Sequence, residues 1–120
     1  MLGCSSKLLK RAFLIGLLTL SICLSNAMAD GAKIFVVGGK ADDPFWSKVK
    51  RGVDDAGMVV KAQGGSVTWL GPRNYDNLGP DAADLIRTAL SQNPDAVIGP
   101  DWVPEAMDEA FQAVVKAGVP

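Results

Sequence analysis

The sequence predicts an α/β domain built on a doubly wound parallel sheet, and three observations predict it. Three short apolar runs alternate with three amphipathic segments. Each run closes on Gly-Gly or Gly-Pro, and the connections are short. Such β-α alternation with right-handed crossovers gives a parallel sheet with helices on both faces.

Ahead of these elements lies a different kind of segment. Lys7, Lys10 and Arg11 lead into an apolar run, Ala12 to Leu24, and then a small-residue exit, Ala27-Met28-Ala29. That is the layout of a secretory signal peptide cleaved after Ala29. The run is 13 residues long, whereas a membrane span needs roughly 18 or more. No stable membrane insertion is therefore expected after cleavage. Cys23 follows the bulky Ile22, which disfavours it as a lipid attachment site. The working protein begins at Asp30 and is expected outside the cytoplasm.

The first run, Lys33 to Val37, is continuously apolar after Lys33, as suits a strand buried on both faces. A helix is predicted from Pro44 to about Ala62, with Pro44 in its first turn and Asp42 or Asp43 as cap. Phe45, Val49, Val53, Ala56 and Val60 form its apolar stripe. Gly64-Gly65 ends the segment. The second run, Ser66 to Leu70, is stopped by Gly71-Pro72. A polar loop, Arg73 to Gly79, leads to a second helix, Pro80 to about Gln92, with Ala82, Ala83, Ile86, Ala89 and Leu90 inward. Asn93-Pro94 stops it. The third run is Ala96 to Ile98. Pro104 and Glu105 open a third helix with Met107, Ala110, Phe111 and Val114 or Val115 on one face, and Gly118 ends it. Val119-Pro120 reads as the start of a fourth strand, so the lobe is expected to be truncated there.

Composition removes several function classes. Residues 30–120 carry nine Lys and Arg against 13 Asp and Glu. This acidic balance argues against nucleic acid and anionic membrane surfaces. The chain has no His, and both cysteines, Cys4 and Cys23, lie in the leader. Zinc and copper sites are therefore not expected, and Ser-His-Asp or Cys-His nucleophiles are excluded within these residues. Gly38-Gly39 lacks the third glycine of a dinucleotide fingerprint, and no phosphate-binding G-x-x-x-x-G-K-[ST] occurs. Asp42 and Asp43 are adjacent and diverge, which does not suit a glycosidase pair.

Open parallel sheets bind ligands beyond the carboxyl ends of strands where strand order reverses. With the second and third strands on opposite sides of the first, that point lies between strands one and three. The loop after strand one holds Lys40, Asp42, Asp43, Phe45 and Trp46. The loop after strand three holds Asp101 and Trp102. Carboxylates accept paired hydrogen bonds from vicinal hydroxyls, Lys donates to hydroxyl oxygens, and aromatic faces meet the C–H face of a sugar ring. Trp46 suits either a core anchor or a stacking face, and Phe45 leans toward the core by helical phase. Trp102 suits binding, since a loop tip offers little core. The loop 72–77 lies off to the side and reads as structural.

These residues together resemble the type I periplasmic sugar-binding proteins of bacterial ABC importers, the ribose-binding-like group. Asp43-Pro44-Phe45-Trp46 resembles that family's Asn/Asp-Pro-aromatic-aromatic element, whose polar residue and aromatics contact sugar. Val67-Thr68-Trp69-Leu70-Gly71-Pro72 is similar to the subgroup for rhamnose, other simple sugars and autoinducer-type ligands, where Lys40 matches a ligand-touching Lys. Pro94 to Ile98 and Ala117 to Pro120 resemble the third strand and the approach to the fourth. Asp43 stands where Asn is more usual, and Asp101 is equated with the family's ligand Asp although its loop lacks the usual polar run. The resemblance implies the amino-terminal lobe of a monomeric two-lobed periplasmic receptor, without cofactor or catalysis. Its ligand would be a simple sugar or polyol and its partner a membrane permease. A sensory receptor feeding a chemoreceptor or histidine kinase shares that fold, and an exported α/β enzyme with its catalytic half elsewhere shares the alternation.

Overall fold

The computed structural model describes residues 31–120. The signal segment, its cleavage after Ala29 and Cys23 lie outside the described residues. Six elements follow one another: β1 (Lys33–Val37), α1 (Trp46–Ala62), β2 (Ser66–Leu70), α2 (Leu78–Leu90), β3 (Ala96–Ile98) and α3 (Pro104–Lys116). The three strands form one parallel sheet in the order β2-β1-β3. The second and third strands lie on opposite sides of the first, which is the condition the sequence reading set, so the order reverses at β1 and the crevice between β1 and β3 is the reversal point.

Register divides the sheet into two faces. Phe35 lies beside Thr68 and Val97, and Val37 beside Leu70. This face carries the core: Val37 packs with Ala82, Ala83 and Ile86 of α2 and with Met107, Ala110 and Val114 of α3, all buried. Small residues let α2 and α3 approach closely. A Cβ on buried Gly79 would stand 2.9 Å from those of Val103 and Ala106. On the other face Val36 lies beside Trp69 and Ile98. Among the described residues only α1 covers it, toward β2, where Gly57 faces Val67. Consequently α1 has no buried residue, and Ile98 stays 56% exposed.

The helix boundaries differ from expectation by two residues at some ends, each for a visible reason. The regular part of α1 begins at Trp46, yet the Ser47 N–H already donates to Asp43 O (2.8 Å), so Pro44 and Phe45 form a preceding turn. α2 starts at Leu78, before Pro80. The first four helical N–H groups need no intrahelical acceptor, so proline is tolerated there. Its end tightens into i→i−3 bonds, Gln92 N–H to Ala89 O and Asn93 N–H to Leu90 O, with Asn93 at φ 52°. The predicted stripe of α1 also needs correction: Phe45 is 64% exposed and Ala56 is exposed, because this face of the sheet is only partly covered. At the other margin of the sheet the Val97 N–H donates to Pro120 O (3.0 Å). Pro120 therefore lies along the outer edge of β3. Among the described residues no helix is long and apolar enough to cross a membrane.

Candidate functional site

The site is built where the strands end. The loop after β1 turns sharply because Gly38 and Gly39 leave room for indoles. A Cβ on Gly38 would overlap the Trp69 ring, and one on Gly39 would overlap the Trp46 ring. The glycine pair thus seats two tryptophans rather than a phosphate.

Asp43 organises the next step. Its Oδ1 accepts from the backbone N–H groups of Phe45 (2.8 Å) and Trp46 (3.1 Å), capping α1. Asp43, not Asp42, is the cap. Those two bonds hold the carboxyl below its ordinary pKa, and the Tyr75 hydroxyl and Lys40 add to the effect. Asp42 is exposed and pairs with Lys40 Nζ at 3.5 Å.

The aromatic rings meet. Trp46 lies edge-to-face with Trp102, centroids 5.4 Å apart at 89°. Phe45 stands edge-on to Trp46 at 5.1 Å, and Trp69 tilts against it at 6.2 Å. Edge-to-face pairs at these separations are favourable beyond area burial. Four rings, from the segments after β1 and β3 and from the end of β2 itself, form one wall at the carboxyl ends of the strands. Trp102 also packs on the core cluster of α2 and α3. The expectation that its loop offers little core is corrected: the close α2–α3 approach carries the core up to the loop.

Asp101 has a different setting. It is exposed, and its pKa is raised, first by desolvation and then by Asp108 and Glu105. The structure groups it with the carboxylates that open α3. Among the described residues no cluster of three or more His, Cys, Asp or Glu is arranged to hold a metal ion.

So Lys40, Asp42, Asp43, Phe45, Trp46 and Trp102 come together, while Asp101 stands with Glu105 and Asp108. Sequence reasoning missed Trp69 and Tyr75. Trp69 lies on the α1 face at the last turn of β2, and its Nε1–H is buried without a partner. Tyr75, from the loop after β2, accepts a hydrogen bond from the Lys40 N–H (3.1 Å). The signal for Trp69 was indirect: a glycine pair after one strand leaves room for a large ring from a neighbour, but the register that places Trp69 there comes only with the sheet.

No family model matches the sequence, and no curated protein matches it. Among solved structures the chain is similar to a crystal structure of an ABC sugar transporter protein, a periplasmic sugar binding protein, from Legionella pneumophila. The two share 22% sequence identity at a TM-score of 0.64. The match covers 74% of this chain and 31% of the Legionella chain, so this chain spans about a third of that protein's length. At that identity the likeness shows the fold alone: this chain shares the parallel α/β arrangement of part of the Legionella protein.

Proposed function

We propose that residues 30–120 belong to the amino-terminal lobe of an exported solute-binding protein. It captures a simple sugar or sugar-like ligand and delivers it to the permease of an ABC importer. The observation that carries this reading is the meeting of Trp46 and Trp102 at the carboxyl ends of β1 and β3, at the point of strand reversal. The description of the Legionella protein supports the same reading.

The chemistry follows from the wall. Indole faces suit the C–H side of a pyranose or furanose. Backbone donors engage Oδ1 of Asp43 only, which leaves Oδ2 to accept from ligand hydroxyls. Lys40 offers donors to hydroxyl oxygens. A second lobe would bring the opposing wall, and hinge closure would exclude water from the sugar and present a joint surface to the permease. Residues 30–120 contain neither His nor Cys, which favours binding over catalysis.

The test is a thermal-shift screen of the full-length protein against D-ribose, L-rhamnose, D-galactose and D-glucitol. At least one sugar should raise the melting temperature. Trp46→Ala and Trp102→Ala should abolish that rise, and Trp102→Phe should keep part of it. If both alanine variants fold and respond like the parent, the site assignment is wrong.

A further inference from the structure

We infer that Tyr75 is a positioning residue of this site, and that the loop after β2 is its third arm rather than a bystander. This rests on the sugar-binding reading above. By strand order alone the loop after β2 lies off to the side. The structure instead joins it to the loop after β1 at three successive points. The Gly38 N–H donates to Leu70 O (2.8 Å). Gly71 approaches Gly39 so closely that a Cβ on Gly71 would overlap the Gly39 carbonyl. Last, the Lys40 N–H donates to Tyr75 Oη (3.1 Å).

The third join differs in kind from the other two. Backbone pairing beside a strand is what any parallel ladder does at its end. A side-chain hydroxyl that reaches back 35 residues to a loop amide is specific to this sequence. A phenol has one proton to donate and lone pairs to accept with. Tyr75 accepts from the Lys40 N–H, and the hydroxyl also favours the ionised form of the nearby Asp43. The hydroxyl thereby holds the Lys40 end of a turn that the Asp43 N–H closes on Lys40 O (3.1 Å). That turn aims the Lys40 side chain, and Asp43 sets the start of α1 and with it the Trp46 ring. Tyr75 is 40% exposed, so its ring contributes little to the core.

Tyr75→Phe in the full-length protein tests the inference, because it removes only the hydroxyl. The unfolding midpoint should stay close to the parent's. Amide exchange at Lys40 should accelerate, and the Asp43 carboxyl should titrate nearer its ordinary value. Affinity for whichever of D-ribose, L-rhamnose, D-galactose or D-glucitol the parent binds should fall roughly 3- to 10-fold, the effect of one hydrogen bond. A variant with parental sugar affinity overturns the positioning role, while the sugar-binding reading stands. Unchanged exchange at Lys40 overturns it as well, since the hydroxyl would then hold nothing. If the parent ignores all four sugars, the functional reading fails first and the positioning role falls with it.

Discussion

The two sides of the sheet are held by different forces. On one side α2 and α3 bury Ile86, Met107, Val114 and four alanines against β1, yet neither helix has a side-chain cap. On the other side α1 buries no residue completely, but Asp43 caps its start, and the loop leading into it is tied to Tyr75 through the Lys40 N–H. Packing holds the first side, and loop chemistry holds the second. The candidate site sits on the second side and borrows only Trp102 from the first. The start of α1 is therefore adjustable by polar substitutions at Asp43 or Tyr75 that leave the core alone.

The largest expected effect probes the packed side. Ile86→Ala should cost about 2–5 kcal/mol, the range for deleting a buried aliphatic side chain without collapse of its site. Met58→Ala on α1 removes a comparable side chain that is 64% exposed, and such surface changes stay within about 0.5 kcal/mol. Urea unfolding of both variants checks the pair. Similar losses for the two would mean that α1 is anchored as firmly as α2, and the contrast between the sides would break.

Much of this was legible in the sequence. The three strands fall where the apolar runs lie, and Pro104 opens α3 because its fixed φ and missing N–H suit a first helical position. Strand order was not legible: right-handed crossovers fix the hand of each β-α-β unit, and the β2-β1-β3 order entered the sequence reading only as a condition that the structure meets. Local periodicity, however, says which way a helix faces and not how much lies beneath it. All three helices show an apolar stripe, but only α2 and α3 bury theirs, because they cover each other as well as β1. Phe45 was misplaced for that reason. The Tyr75 bond escaped notice for another reason: it joins loops 35 residues apart, and no spacing rule encodes a contact that only tertiary structure brings together. Asp43 showed as a cap candidate in the sequence, whereas the crowding of Asp101 by Asp108 needed the helix to be built.

Glycines sharpen the comparison at a smaller scale. Gly79 lies between the tightly packed helices, where a Cβ would stand 2.9 Å from Val103 and Ala106. Gly79→Ala should cost about 1–3 kcal/mol by overpacking. Gly52 lies inside α1 with open space around the same position. Gly52→Ala should add about 0.5–1 kcal/mol, since alanine loses less backbone freedom in a helix interior. Thermal melts should therefore shift in opposite directions for one chemical change. A loss of stability at both positions would show that α1 is packed on its outer side too.

The smallest effect separates the two aspartates by pH. The Asp43 pKa is lowered from 3.8 by the N–H groups of Trp46 and Phe45. Its contribution to stability is fully present above 3.8 and is lost as pH falls through the lower folded value. Asp43→Asn keeps a capping oxygen but loses the charge, so it should trail the parent at neutral pH and converge with it in acid. The Asp101 pKa is raised from 3.8 by desolvation and by the neighbouring Asp108 and Glu105. Here the sign reverses: the folded state gains from the proton below 3.8 and loses that gain as pH rises through the folded value. Asp101→Asn should match the parent in acid and surpass it slightly toward neutrality. Unfolding midpoints followed from acid to neutral pH should show the two difference curves diverging with opposite sign. Curves of the same sign would mean that the start of α3 holds its carboxylate as the start of α1 does, and that the two helix openings are electrostatically alike.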